Sequence, residues 1–303
     1  MTQEGNDSSG QRWVVLLAAG EGSRVRKLTS GPDGEEIPKQ YYAWGGVDSM
    51  LRWTMNRSAA VAPLNRTVAV VAGQHKRWWK DQLRDLPGDN ILVQPKNRGT
   101  GAGILFPVLE ILRRDPEATV AVMPTDHYVE HEPRLQSAIR EAFEAVNKDR
   151  KQVVLVGIEP RQWENGYGWI VPSGPPRGIQ RVRTFVEKPD RSKGRKLMQS
   201  GALMNSFIFV GAAKAIHNMV ADTAPEVARR LGIWQQAVQR TAARLESLYE
   251  AMPTCDFSRE VLERSCASLA VVRAHNCEWS DLGTPDRVLR YTQRNGIDLA
   301  VSV

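Results

Sequence analysis

Cysteine and histidine are scarce in this sequence. The three cysteines, Cys255, Cys266 and Cys277, fall in no C-x-x-C pair, and no histidine cluster joins them. That excludes a zinc finger or a disulfide framework and is the pattern of reduced thiols in a cytoplasmic protein. Nowhere is there a run approaching the ~20 apolar residues that span a bilayer, so no membrane partner is expected. Residues Met1 to Gln11 are polar and rich in Gly, Ser and Asn. They lack the apolar segment of a signal peptide and read as a disordered lead-in (1–11). There is no internal repeat, no low-complexity tract and no block of like charge. The net charge of +7 and pI near 9.4 would suit a polyanion. No helix-turn-helix, zinc or RNA-recognition signature accompanies them, so nucleic acid is not an expected partner.

What is present is an ordinary globular composition, 42% hydrophobic and 25% charged over 303 residues. A chain of this length buries roughly 75% of its unfolded surface without staples. Short apolar runs alternate with amphipathic stretches. Strands are expected at Trp13–Ala19, Thr67–Ala72, Ile91–Gln94, Thr119–Met123 and Val153–Ile158. Helices are expected at Ser49–Val61, near His75–Leu86, and at Gly101–Arg114 and Pro133–Lys148. The strands are continuous apolar runs, as in strands covered on both faces, which predicts an α/β fold with a mostly parallel, Rossmann-like sheet. The second half differs. Two strands (Gly168–Pro172, Arg181–Glu187) flank the turn-rich Ser173–Gly178, a long helical region covers about Ala224–Tyr249, and a last helix runs from about Pro285 to Gln293. No linker divides the halves, so one domain (12–303) with two lobes, about 12–158 and 159–303, is expected.

In open α/β sheets ligands bind beyond the carboxyl ends of the strands. The first strand ends in Gly20-Glu21-Gly22-Ser23-Arg24. Gly20 and Gly22 let the backbone approach a ligand and expose amide N–H groups, and the Arg24 fork suits phosphate. Val25 stands where the dinucleotide fingerprint needs its last glycine, and no Gly-Lys-Ser/Thr makes a Walker A loop. The fourth strand runs into Asp126, a carboxylate at a strand end and a natural Mg²⁺ ligand. Thr100, after the third strand, would also serve as a helix cap.

Leu17 to Arg24 (LAAGEGSR) followed by Pro38-Lys39-Gln40 resembles the signature of the sugar-1-phosphate nucleotidyltransferase family, and MPTDH (Met123–His127) resembles the Met-Pro-Ser-Asp-His of its mannose-1-phosphate guanylyltransferases. The resemblance continues through QPKNRGT (Gln94–Thr100), ENGYGWI (Glu164–Ile170), FVEKP (Phe185–Pro189), Asn205-Ser206 and WSDLG (Trp279–Gly283), and so covers Val14 to Gly283. It implies the nucleotide-diphospho-sugar transferase fold with a smaller sugar-binding lobe. It also implies transfer of a nucleotidyl group from an NTP to a sugar 1-phosphate, with GTP, mannose 1-phosphate and Mg²⁺ the reactants and cofactor of the most similar members.

By the same resemblance Ala18, Ala19, Gly20, Gly22, Ser23, Gln94, Gly99 and Thr100 would hold the nucleotide. Gly168, Glu187, Lys188 and Asn205 would hold the sugar phosphate, and Asp126 and Asp281 the metal. Arg24, Lys39 and Lys188 would carry the charge of catalysis, while His127 would be structural. The chain departs from the family pattern at Lys27, Gly101, Ala102, Met204 and Phe207. Neither the C-terminal isomerase nor the β-helix domain of many guanylyltransferases is expected, since the sequence ends at Val303 soon after the last helix. A homo-oligomer is compatible with the sequence, which leaves that state open. Rival readings are a cytidylyltransferase acting on a non-sugar alcohol phosphate, which shares AAGxGxR and PKQY, and an inactive nucleotide-sugar-binding subunit on the same fold.

Overall fold

A computed structural model describes residues 12–31, 34–46 and 48–297; the lead-in expected at 1–11 lies outside them. The first half alternates strand and helix: β1 (Arg12–Ala18), α1 (Met50–Ala59), β2 (Thr67–Ala72), α2 (Lys76–Gln82), β3 (Ile91–Gln94), α3 (Gly99–Arg114), β4 (Thr119–Pro124), β5 (Tyr128–Val129), α4 (Glu132–Lys148) and β6 (Val153–Ile158). The second half adds β7 (Gly168–Pro172), β8 (Gln180–Glu187), α5 (Arg191–Gln199), β9 (Leu203–Ala212), α6 (Ala213–Thr223), α7 (Pro225–Gln236), α8 (Ala242–Glu250), β10 (Leu269–Ala274), β11 (Trp279–Ser280) and α9 (Pro285–Arg294).

Among the described residues nine strands form one sheet in the order β3-β2-β1-β4-β9-β6-β10-β8-β7. β1 to β4 are mutually parallel, and β6 and β10 continue in parallel. The long β9 runs antiparallel between β4 and β6, so strands from both halves of the chain share the sheet. Alternate residues of β1 serve opposite faces: Trp13 and Val15 join one core cluster, Val14, Leu16 and Ala18 the other. α3, α6, α7 and α8 cover the first face, and α1, α2 and α4 the second. Burial on both faces explains why β2, β4 and β6 are unbroken apolar runs.

The long helical region expected over Ala224–Tyr249 is two helices. Ala237 to Arg240 is not helical, Val238 is wholly exposed, and Thr241 restarts the chain as an N-cap whose side chain accepts from the Arg244 amide. β9, α5, α6 and β10 went unread as elements in the sequence.

Two departures from the family pattern have packing reasons. Gly101 faces Cys255, where an added Cβ would lie 2.5 Å from Sγ and 2.9 Å from the Cys255 Cβ. Gly101→Ala is expected to cost about 1–3 kcal/mol by overpacking, and Cys255→Ala in the same chain to recover part of it. Urea unfolding of the single and double variants measures both; purely additive losses would show the contact to be harmless. Phe207 has φ of +60°, a left-handed conformation that a glycine would occupy freely. Here its ring packs against Phe257, centroids 6.2 Å apart, which offsets that cost.

Candidate active site

The turn after β1 is shaped from below. Gly22 (φ +61°) passes so close to Lys39 that a Cβ would lie 3.0 Å from the lysine Cβ. Gln40 Nε2 donates to the carbonyls of Ala18 (3.2 Å) and Gly20 (2.7 Å), and the Tyr41 hydroxyl donates to Ala18 (2.6 Å). Pro38 to Tyr41 thus buttresses the glycine loop.

β5 and β11 form a small antiparallel ladder, with Trp279 opposite Val129 and Ser280 opposite Tyr128. This ladder is why Asp126, just before β5, and Asp281, just after β11, meet. Between them lies the Lys39 ammonium, which donates to Asp126 Oδ2 (2.7 Å) and to the Asp281 carbonyl (2.5 Å). Lys39 is only 3% exposed, whereas the Asp126 side chain is 37% exposed. Asp281 Oδ1 accepts from the Tyr167 hydroxyl (2.9 Å), the Gly283 amide (2.9 Å) and Arg287 Nη1 (2.7 Å), leaving Oδ2 as the cleft-side oxygen. A Cβ at Gly283 would lie 2.5 Å from Oδ2 and 3.1 Å from Arg24 Nη2, so glycine there keeps the space between carboxylate and guanidinium open.

Burial alone would raise both carboxyl pKa values. For Asp126 the Lys39 ammonium overcomes it, and for Asp281 the Arg287 guanidinium with Lys39 does, so both stay below the ordinary range. His127 is buried beside them and is pushed down to about 4 by desolvation, against the pull of Asp126. Trp279 Nε1 donates to its Nδ1 (3.3 Å), which leaves the proton on Nε2, 3.6 Å from Asp126 Oδ1. A neutral ring held this way is no proton carrier near pH 7.

These groups open on a cleft of about 440 Å³. Ala19, Gly20, Gly22 and Arg24 line one part, with Gln94, Gly99 and Thr100. Gly168, Glu187, Lys188 and Asn205 line another, and Asp126 and Asp281 are also in its wall. Three expected site residues are not. Ala18 is fully buried with its carbonyl taken by Gln40 and Tyr41. Ser23, exposed, begins a 3₁₀ turn and is not in the wall, although its neighbours Gly22 and Arg24 are. Lys39 lies beneath the aspartates, so its direct contact is with them.

Burial raises the Glu187 carboxyl above its ordinary 4.5, with Lys188 Nζ 3.1 Å away opposing it. An acid titrating higher when folded holds more protons in the native than in the unfolded state, so stability falls as pH rises through that interval and then levels. Glu187→Gln should therefore show a shallower fall in Tm than wild type as pH rises above the ordinary glutamate range. Parallel Tm curves would contradict it.

Four contributors were not named from the sequence, although one of them, Tyr167, lies within the ENGYGWI segment. Asp256 and Ser258 line the cleft from a segment tied to its far wall: Gly101 N donates to Cys255 O (2.9 Å), Cys255 N to Arg98 O (3.0 Å) and Phe257 N to Thr100 Oγ1 (2.8 Å). Thr100 therefore lies inside the first turn of α3 with its hydroxyl accepting from the adjoining Phe257 amide, rather than capping the helix. Tyr167 and Arg287, the other two, hold Asp281. A DFS triplet and one more arginine carry no spacing signal.

Among the described residues no group of three or more His, Cys, Asp or Glu side chains could hold a metal alone. Two carboxylates offering one cleft-side oxygen each nonetheless fit Mg²⁺, which takes few protein ligands and completes its shell with water and phosphate oxygens.

The α/β sheet thus carries a cleft lined by a glycine loop, two aspartates and the cations Arg24 and Lys188. The nucleotidyl transferase family profile matches residues 13–295, and the chain belongs to that family. It is 29% identical over 288 residues to the xanthan biosynthesis protein XanB of Xanthomonas campestris pv. campestris (strain B100), covering 93% of this chain and 60% of XanB. It is 27% identical over 283 residues to a mannose-1-phosphate guanylyltransferase of Klebsiella pneumoniae, covering 89% and 58%. The chain thus spans about 60% of the length of such relatives. A crystal structure described as mannose-1-phosphate geranyltransferase from Thermus thermophilus superposes with a TM-score of 0.79 at 23% identity, covering 90% of this chain and 76% of that one, which shows the shared fold. No helix among the described residues is long and apolar enough to cross a membrane.

Proposed function

We propose that this protein transfers a nucleotidyl group from GTP to mannose 1-phosphate, forming GDP-mannose and pyrophosphate. The observation that carries this is the meeting of Asp126, Asp281 and Lys39 on one side of a cleft that Arg24 and the glycine loop enter at one part and Lys188 at another. The base and sugar are supported by the names of the relatives and by the MPTDH and FVEKP segments.

The sugar-phosphate oxygen attacks the α-phosphorus in line and pyrophosphate leaves. Two polyanions must approach, and each like-charge pair at ~4 Å costs about 4 kcal/mol at an effective dielectric near 20. Arg24 faces the triphosphate and Lys188 the sugar phosphate, and each offsets part of that repulsion. Mg²⁺ held by Asp126 and Asp281 would supply the remaining positive charge. A phosphate oxygen is already nucleophilic, so no general base is needed and a neutral His127 is no obstacle. Catalysis is then positioning and electrostatics.

A panel of four nucleoside triphosphates against mannose 1-phosphate, glucose 1-phosphate and non-sugar alcohol phosphates, read by Mg²⁺-dependent pyrophosphate release, tests the assignment. Turnover with GTP and mannose 1-phosphate is expected. Preference for CTP with an alcohol phosphate, or nucleotide binding without turnover, would overturn it.

A further inference from the structure

Arg287 is nearly buried, at 5% exposure, yet does not line the cleft. It borders a second cavity of about 620 Å³ that shares Tyr167 and Trp279 with the cleft as a common wall. Its planar fork makes three separate bonds. Nη1 donates to Asp281 Oδ1 (2.7 Å), Nε to Glu164 Oε2 (2.7 Å) and Nη2 to the Asn165 carbonyl (2.5 Å). The guanidinium lies over the Tyr167 ring, 4.0 Å from its centroid. Tyr167 in turn donates to the same Asp281 oxygen, and its carbonyl accepts from the Lys188 amide (3.2 Å).

We propose that Arg287 is a positioning residue that joins the catalytic aspartate Asp281 to the Glu164–Gly168 loop on the sugar side of the cleft. The inference rests on the function proposed above and deepens it. One guanidinium fixes which Asp281 oxygen is left for the cleft, and through Glu164, Asn165 and Tyr167 it fixes the backbone of Gly166 and Gly168, which line it. Charged groups are costly to bury, and this one is compensated only because its N–H groups meet acceptors on three sides. A lysine there would keep the charge and one bond but not the fork.

The two arms predict a split. Arg287→Gln should lower kcat and raise KM for mannose 1-phosphate, each about tenfold, the lower end of what lost support behind a ligand residue costs, while KM for GTP stays within about twofold. Arg287→Lys should recover most of kcat but leave KM for the sugar phosphate raised. Glu164→Gln, approaching the loop from the other side, should raise that KM with kcat kept. Calorimetric titration of each variant with mannose 1-phosphate gives the same ranking without turnover. Thermal melting controls for folding, and an Arg287→Gln that does not fold leaves the lysine and Glu164 variants to decide. Unchanged sugar-phosphate binding in the folded variants, or equal weakening toward both substrates, would overturn the proposal. A wild-type protein without turnover on the panel would overturn the underlying function instead, and this inference with it.

Discussion

Lys39→Met is expected to lower kcat/KM by roughly 10²–10³, the scale of losing one group that stabilises developing charge. Methionine keeps the volume of the buried stem, so the change isolates the ammonium. In wild type that ammonium holds Asp126 and the Asp281 carbonyl together. Without it the Asp126 carboxyl loses the interaction that most opposes desolvation, and two neighbouring carboxylates are left to repel. Because Lys39 acts on the aspartates and not from the cleft wall, the loss should fall on kcat with KM for the triphosphate little changed. Initial rates of pyrophosphate release separate these. A large rise in triphosphate KM with kcat preserved would return Lys39 to direct phosphate contact, and rates within about threefold of wild type would remove it from catalysis.

The fold class and the segments that line the cleft were both legible in the sequence, because strand patterns and motifs are local. Gly20 to Arg24 and Asp126 follow strands that announce themselves as apolar runs, and Glu187 closes the mixed strand β8 with Lys188 next to it. Their chemistry is in the residue types. What joins them is not local. Nothing in LMNSFIFVGA says that β9 lies antiparallel between two parallel strands, and that insertion brings Asn205 and Ser206 to the cleft. The ladder between β5 and β11 consists of two residues on each side, too short for any periodicity, yet it decides that Asp126 and Asp281 meet. Lys39 was singled out from its motif, but its direction was illegible, since a lysine in a loop is normally solvated and only tertiary packing turns this one inward. The break after α7 hid because Ala and Gln continue the helical pattern up to the exposed Val238.

Asp281→Asn is expected to match the Lys39 variant in severity, roughly 10²–10³ in kcat/KM, while leaving the fold nearly intact. Three donors converge on Oδ1: the Tyr167 hydroxyl, the Gly283 amide and Arg287. An amide must therefore keep its oxygen there, which forces its NH₂ to the Oδ2 position beside Arg24 and the cleft. A donor then faces the cations where an acceptor is needed, and no rotamer repairs this. The backbone carbonyl that receives Lys39 is untouched, so the variant tests the side chain alone. Asp281→Ala makes the contrast: it also strips Arg287 of one acceptor, and should cost about 1–3 kcal/mol of stability that the asparagine variant keeps. Melting curves together with pyrophosphate-release rates distinguish the two. An asparagine variant within about threefold of wild-type turnover would mean that the Asp281 carboxylate does not serve the reaction, and the paired-aspartate reading of the cleft would fail with it.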